Sequence, residues 1–460
     1  MKKRYRTPVL ATAFLMALTL IVPEHSLRAG SGPGLEVPVT YYKLPNGLKV
    51  VLSPDKSAPI IGVGVYYNIG FRIEPRNRTG FAHLFEHMMF QGSQNLGKME
   101  FIQLVQKNGG ILNGSTRFDF TNYFEVLPAH KLETALWAEA DRMRGLKIDQ
   151  GNLTNQQGVV KNEVKVNVLN QPYGGFPWLD MPQYANTNWY NAHNFYGDLA
   201  DLDSAKLEDV NSFFKTYYAP NNAVLVVVGD FELAEGRKWV EQYFSGIPSA
   251  TLPPKPDISE PVQTAEKRAR KEDKLANKPA LAVAYKMPER NSSEWYAMGL
   301  IDQILLQGQD SRLYQSIVQE KGYAGSVSGG INYLGNMFNY QGPMFWMSDL
   351  IYDEKTSPDA ILAEYDKAVS YMQNNVTQAD INTALVKMRS SLYDQIGTQF
   401  GIGKIDLLAC FAMFDDDPSR INGLEAAFAK VTPDLIRKTA KEYLSANNRT
   451  VLIVDPKATK

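Results

Sequence analysis

The chain is short of the residues most often used to build metal and redox centres. It has a single cysteine, Cys410, in 460 residues. That excludes an intramolecular disulfide and any cysteine-rich zinc or iron–sulfur site. Histidine is scarce as well. His25, His83, His87, His130 and His193 are the full set, so any histidine metal site must draw on these five. Charge of one sign is not in excess either: 48 Lys/Arg stand against 49 Asp/Glu. No nucleic-acid partner is expected from that balance. What the chain does have is 44% hydrophobic residues and 21% charged ones. That is ample for packed cores and excludes wholesale disorder. The length suggests about two to four domains.

Residues 1–29 have the layout of a secretory signal peptide. Lys2, Lys3, Arg4 and Arg6 form a basic start, and Val9 to Val22 is an apolar run of 14 residues, with a cut expected after Ala29. The run is too short for an ordinary membrane span, and no second long apolar run follows, so no stable membrane span is expected. No cysteine sits at the cut, which argues against a lipoprotein anchor. Removing 1–29 leaves 43 basic and 48 acidic side chains, a net of −5. The expected location is the periplasm, an oxidising compartment that a lone cysteine tolerates.

The chain reads twice. TYYAPNNAVLVVVGD (216–230) is echoed by EYLSANNRTVLIVDP (442–456), and HLFEHMMFQG (83–92) by GLIDQILLQG (299–308). The first pair reads as a helix end, an Asn-Asn turn and a buried strand. Between the echoes lies SATLPPKPDISEPVQTAEKRARKEDK (249–274), rich in proline and charge, which reads as a linker. The expected organisation is therefore a signal peptide at 1–29, a first domain at 36–248, the linker, and a second homologous domain at 275–460. Strands are expected at 47–54, 60–70, 124–128 and 223–230, with helices at 80–91, 99–108, 131–144 and about 153–169. The fold class is α+β: two homologous domains, each a mixed β-sheet flanked by helices.

One helix carries the chemistry. TGFAHLFEHMMFQG (79–92) has Thr79 as a candidate N-cap and Gly92 as a stop. His83 and His87 are four apart and project from the same side, so their imidazoles can converge on one ion. Glu86 borders that face. This His-x-x-Glu-His order inverts the His-Glu-x-x-His zinc helix. Two neutral imidazoles suit one Zn²⁺, and an adjacent carboxylate suits a general base. A catalytic zinc needs a third protein ligand and an open position. His130 and His193 are candidates, but neither sits in a metal-like spacing; Glu163, in the helical stretch VVKNEVKVNVLN (159–170), is better placed, though spacing alone does not choose it among the many carboxylates.

The motif, the distance from His87 to Glu163 and the paired halves together resemble the pitrilysin/insulinase family of inverzincin metallopeptidases. The resemblance is to the branch that includes mitochondrial processing peptidase and its bacterial relatives. It covers nearly the whole mature chain, through LPNGLKVVLS (44–53), GFAHLFEHMMFQGS (80–93), GGILNGSTRFDFTNYFEVLP (109–128), YYAPNNAVLVVVGDF (217–231) and DSRLYQSIVQEKG (310–322). The resemblance implies that His83, His87 and Glu163 hold zinc and that Glu86 is the base that activates water for peptide hydrolysis. It also implies that the substrate peptide is clamped as an added strand, over a stretch matching Asn113 to Phe120. Asn113, Gly114, Ser115 and Thr116 are then the candidate substrate-binding residues.

Two departures from the family pattern matter. Gln156 stands where the family carries a second glutamate, seven residues before the third ligand, and supplies a hydrogen-bonding but uncharged neighbour. Self-sufficient members also carry an Arg and a Tyr seven apart in the later half, near the substrate carbonyl. The matching positions here are Val318 and Gly325, with Tyr323 close but out of register. The resemblance therefore implies a heterodimer in which a sister subunit supplies Arg and Tyr, with a homodimer as the alternative. In the second copy, Gly299, Asp302 and Gln303 stand at the positions of His83, Glu86 and His87, so that half cannot build the metal site. The expected function is an exported zinc endopeptidase acting on short or unfolded peptides. The alternative is a non-catalytic assembly or peptide-binding subunit of the same family.

Overall fold

The computed structural model describes residues 36–397 and 401–457. The expected signal peptide lies outside the described residues. The strands are β1 (Thr40–Lys43), β2 (Lys49–Pro54), β3 (Ile60–Tyr67), β4 (Ile111–Thr116), β5 (Thr121–Pro128), β6 (Ala223–Gly229), β7 (Lys267–Asp273), β8 (Ala280–Lys286), β9 (Ser328–Ile331), β10 (Phe345–Ile351) and β11 (Arg449–Pro456). They form two mixed sheets, ordered β1-β2-β6-β3-β5-β4 and β7-β11-β8-β10-β9. In each, one pair is parallel (β2 with β6, β7 with β11) and every other neighbour is antiparallel. Apart from β1, the two sheets share one topology, as the repeat predicts.

The echo at the Asn-Asn turns extends to individual bonds. Asn222 Nδ2 donates to the Tyr217 carbonyl at 2.8 Å. Asn448 Nδ2 donates to the Tyr443 carbonyl at 2.7 Å. Each asparagine closes the preceding helix end and starts the central strand, and backbone groups in such a turn need that partner.

The segment read as a linker contains a strand. Lys267–Asp273 is β7, an edge strand that pairs in parallel with β11. Its sequence, KRARKED, alternates between half-buried and exposed positions with charge on both faces. Charged side chains are a common way to keep a sheet edge from recruiting another strand, and here they hid the strand from a reading based on apolar runs.

Each sheet is covered on one face by its own helices and on the other by a helix from the opposite half. The first sheet packs on helices including Phe81–Met88, Leu132–Arg144 and Leu233–Phe244. Its far face takes Ile402–Phe414 across β2, β3 and β6. Gly62 and Gly64 of β3 make room for that helix: a Cβ at Gly64 would lie 2.5 Å from Ile405 Cγ2. Conversely, Met181 and Ala185 of the helix Asp180–Ala185 pack on Ala282, Ala284, Phe345, Met347 and Leu452 of the second sheet. Among the described residues no single helix is long and apolar enough to cross a membrane.

Candidate active site

The helix Phe81–Met88 begins at Gly80, whose φ of +82° suits glycine. Thr79 does not cap it. The Thr79 hydroxyl donates to Asp201 Oδ2 at 2.6 Å and accepts from Asp198 N at 2.9 Å. The cap comes from Glu74, six residues before Gly80 and fully buried. Its carboxyl accepts from Gly80 N at 2.9 Å and Ala82 N at 2.5 Å. Burial pushes Glu74 up to about 8, against the pull of those two N–H donors. A carboxyl group at a helix N-terminus satisfies otherwise orphaned donors.

His83 and His87 extend from this helix toward Glu163, near the end of the helix Gln150–Val164. His83 Nε2 lies 3.4 Å from Glu163 Oε1, and His87 Nε2 lies 3.2 Å from Glu163 Oε2. One donor atom from each residue falls within 4.8 Å of the other two. The two imidazoles hold the Glu163 carboxyl well below the usual carboxylate range, with burial opposing them. Two imidazole nitrogens and a carboxylate oxygen, all turned inward on one side, are a donor set that fits zinc with a position left open. Among the described residues this is the one cluster of its kind.

The other histidines do other work. His130 is exposed in the turn Ala129–Lys131. His193 is buried, with Nδ1 3.0 Å from the Trp189 carbonyl, Nε2 3.0 Å from the Phe71 carbonyl, and its ring stacked on Trp189. His25 lies outside the described residues.

Glu86 faces the sheet edge. Its Oε2 accepts from Thr116 Oγ1 at 2.7 Å. Thr116 ends β4, which is the outer strand of the first sheet. Gly114 also faces Glu86: a Cβ there would lie 3.3 Å from Glu86 Cγ. Asn113 and Ser115 point the other way, as strand alternation requires. Asn113 is exposed, with Oδ1 accepting from Gly114 N at 2.9 Å, and Ser115 Oγ donates to Asn122 Oδ1 at 2.5 Å. Residues 117–120, the remainder of the stretch matched to the substrate clamp, form the hairpin turn between β4 and β5 rather than strand. Gln156 is buried on the helix that carries Glu163.

The sequence reading missed Tyr196. Its ring stands edge-on to His83 at 5.3 Å. Burial raises its phenol above the ordinary value, with Glu163 and Glu86 adding to the effect. The loop that brings it comes from a distant stretch without periodicity, so spacing offered no signal.

In the second half, Gly299, Asp302 and Gln303 lie on the helix Ser293–Leu305. Asp302 accepts from Trp346 Nε1 at 2.8 Å and from Gln307 Nε2 at 3.1 Å. Burial pushes its carboxyl up to about 7. Val318 sits in the helical turn Tyr314–Glu320, and Gly325 is exposed in the loop that follows.

An inverted histidine pair, a distant glutamate and two copies of one sheet topology define a two-domain peptidase fold. Residues 49–188 match the model for the insulinase family of M16 peptidases, and residues 204–388 match the model for the M16 inactive domain. The chain belongs to the M16 peptidase family. It is 23% identical over 426 residues to the zinc protease PqqE of Helicobacter pylori, covering 90% of this chain and 92% of that one. It is 25% identical over 226 residues to a probable mitochondrial-processing peptidase subunit beta of Arabidopsis thaliana, covering 49% and 42%. In fold it is similar to a protease from Helicobacter pylori, with a TM-score of 0.84, 23% identity and coverage of 92% and 100%. It is also similar to the periplasmic protease PqqL from Escherichia coli, with a TM-score of 0.72, 16% identity and coverage of 92% and 48%.

Proposed function

We propose that this chain is an exported zinc-dependent endopeptidase that hydrolyses short or unfolded peptides. The observation that carries the reading is the facing of two groups: His83, His87 and Glu163 converge while Glu86, on the same helix, turns to the free edge of β4. His83, His87 and Glu163 would hold one Zn²⁺, which supplies a Lewis acid that polarises a carbonyl and makes water more acidic. Glu86 takes a proton from the attacking water and delivers it to the departing amine. An extended peptide adds to the edge of β4 along Asn113, Gly114, Ser115 and Thr116, so that backbone pairing presents a peptide bond to Glu86. Folded proteins lack a free extended segment, which favours short or unfolded substrates. Gln156 supports the Glu163 helix from within.

Export to the periplasm is supported by the layout of residues 1–29 and by the likeness to a protein described as a periplasmic protease. A sister subunit is supported by Val318 and Gly325, which offer no donor side chains where family members carry Arg and Tyr. Losing one donor to the reacting carbonyl costs about 10²–10³ in rate. The assembly is thus a heterodimer in which the partner supplies Arg and Tyr. A homodimer would instead have to work without them.

Elemental analysis of the purified chain should give one zinc per chain. Glu86→Gln should keep the zinc and abolish turnover. Peptide cleavage should be weak for the chain alone and rise on adding the second chain that co-purifies with it. The alternative, a non-catalytic peptide-binding subunit, draws on the second half, which matches the inactive-domain model. Binding of peptides without cleavage, in the presence of zinc and partner, would establish it and end the endopeptidase reading.

A further inference from the structure

His83 leaves one atom unaccounted for. The residue is 5% exposed and turns Nε2 toward Glu163. Its Nδ1 is buried and meets no hydrogen-bond partner among the described residues. A metal-binding imidazole ordinarily gives its second nitrogen to a carboxylate, carbonyl or water, and that bond fixes the rotation of the ring. The His83 ring is met instead by two other rings, His87 at 5.0 Å and Tyr196. Tyr196 meets the His83 ring edge-on at 5.3 Å and 60°. Trp178 stands against Tyr196 at 5.4 Å and 69°.

The loop that carries Tyr196 is fixed to the start of the metal helix. Gly80 and Gly197 cross backbone to backbone, each with a φ of +82°. A Cβ at Gly80 would lie 2.9 Å from the Tyr196 carbonyl oxygen, and one at Gly197 would lie 2.5 Å from Gly80 Cα. Asp198 N donates to Thr79 Oγ1 at 2.9 Å beside this crossing. Two glycine contacts and a hydrogen bond therefore hold the backbone of Tyr196 against the start of the metal helix, and Trp178 packs on its ring.

We infer that Tyr196, backed by Trp178, is the positioning residue that orients the His83 imidazole for zinc, an aromatic brace in place of the usual hydrogen bond. The inference rests on the metal-site reading above. Because the contact is made by the ring, the hydroxyl is dispensable. Tyr196→Phe keeps the brace, and Tyr196→Leu removes it.

The test is competition for Zn²⁺ between a chromophoric chelator and the full chain, stripped of metal, as wild type, Tyr196→Phe and Tyr196→Leu. The Phe variant should bind zinc as the wild type does. The Leu variant should bind about 10–100-fold more weakly, the range for loss of a group that orients a ligand. The visible spectrum of the Co²⁺-loaded chain should be unchanged for Phe and altered for Leu. Wild-type affinity in the Leu variant would overturn the inference. So would a loss in the Phe variant equal to that in Leu, since the hydroxyl would then be the acting group. Thermal unfolding of the metal-free proteins separates ligand orientation from folding. Should Tyr196→Leu not fold, Trp178→Leu takes its place: weaker zinc binding upholds the brace and unchanged binding ends it. Failure of the wild type to bind zinc at all would refute the metal-site reading itself, before any variant is compared.

Discussion

Thr116 Oγ1 donates to Glu86 Oε2 at 2.7 Å, and this bond joins the free edge of the first sheet to the residue proposed as the base. The hydroxyl holds one carboxylate oxygen in place and leaves the other for a water. Thr116→Val keeps the shape and removes the donor. A hydrogen bond to a charged group is worth about 1.5–3 kcal/mol, so kcat should fall by about 10–150-fold. Zinc content should stay at the wild-type level, because Thr116 is not one of the three clustered residues. Thr116→Ser should restore most of the rate. Steady-state kinetics with metal analysis on the three proteins checks this.

Gly114 faces the same carboxylate from the middle of β4. An added Cβ would meet Tyr123 Cδ1 at 3.2 Å, Asn122 O at 3.3 Å and Glu86 Cγ at 3.3 Å. Two of these are a buried ring and a backbone oxygen, so Glu86 is the neighbour free to move. Gly114→Ala should displace Glu86 and lower kcat/KM, with overpacking costing about 1–3 kcal/mol. The companion measurement is thermal unfolding. A large fall in melting temperature with unchanged kcat would show that the sheet, not Glu86, had yielded.

The metal helix was legible because its information is local. A four-residue spacing fixes two imidazoles on one face whatever the rest of the chain does. The repeat was legible for a similar reason, since Asn222 and Asn448 close their turns with the same bond. Glu163 was not singled out by spacing, because a ligand from another helix obeys tertiary geometry, and only the family resemblance picked it out. Glu74 was hidden too. The sequence offers Thr79 as the cap, but Asp201 and Asp198 engage that hydroxyl, and the buried carboxyl group of Glu74 from across a turn does the capping. The exchange of covering helices between halves left no local trace either: an apolar helix face does not state which sheet it covers.

Asp302 makes the second half sensitive to pH. Its carboxyl is buried, accepts from Trp346 and Gln307, and is pushed up to about 7. In the unfolded chain the same group titrates near 4. Between those values the folded state holds a proton that the unfolded state has lost. Stability attributable to Asp302 therefore falls as pH rises from about 4 to about 7, by up to about 1.4 kcal/mol per pH unit, and is level above. Asp302→Asn keeps an amide oxygen for Trp346 and carries no charge. The stability of the variant relative to wild type should climb through that window and then level off. Urea midpoints collected across it, compared pairwise, would contradict the assignment if the difference stayed constant with pH.

The covering of the first sheet by a helix from the second half can be tested at Gly64 and Ile405. The glycine exists to admit the isoleucine: a Cβ there would lie 2.5 Å from Ile405 Cγ2, and one at Gly62 would lie 2.8 Å from Ile405 Cδ1. Both partners are buried, and the helix Ile402–Phe414 spans β2, β3 and β6. Gly64→Val should destabilise the protein by about 1–3 kcal/mol through overpacking. Ile405→Ala alone should cost about 2–5 kcal/mol through the cavity it leaves. Combined, the added methyls partly refill that cavity, so the double variant should be more stable than the sum of the two losses. A double-mutant cycle from denaturant unfolding measures the difference, and contacting residues typically show coupling of about 0.5–3 kcal/mol. Strict additivity would mean that the helix does not rest on β3. Coupling would mean that the sheet of the metal-bearing half draws part of its stability from a helix of the metal-free half.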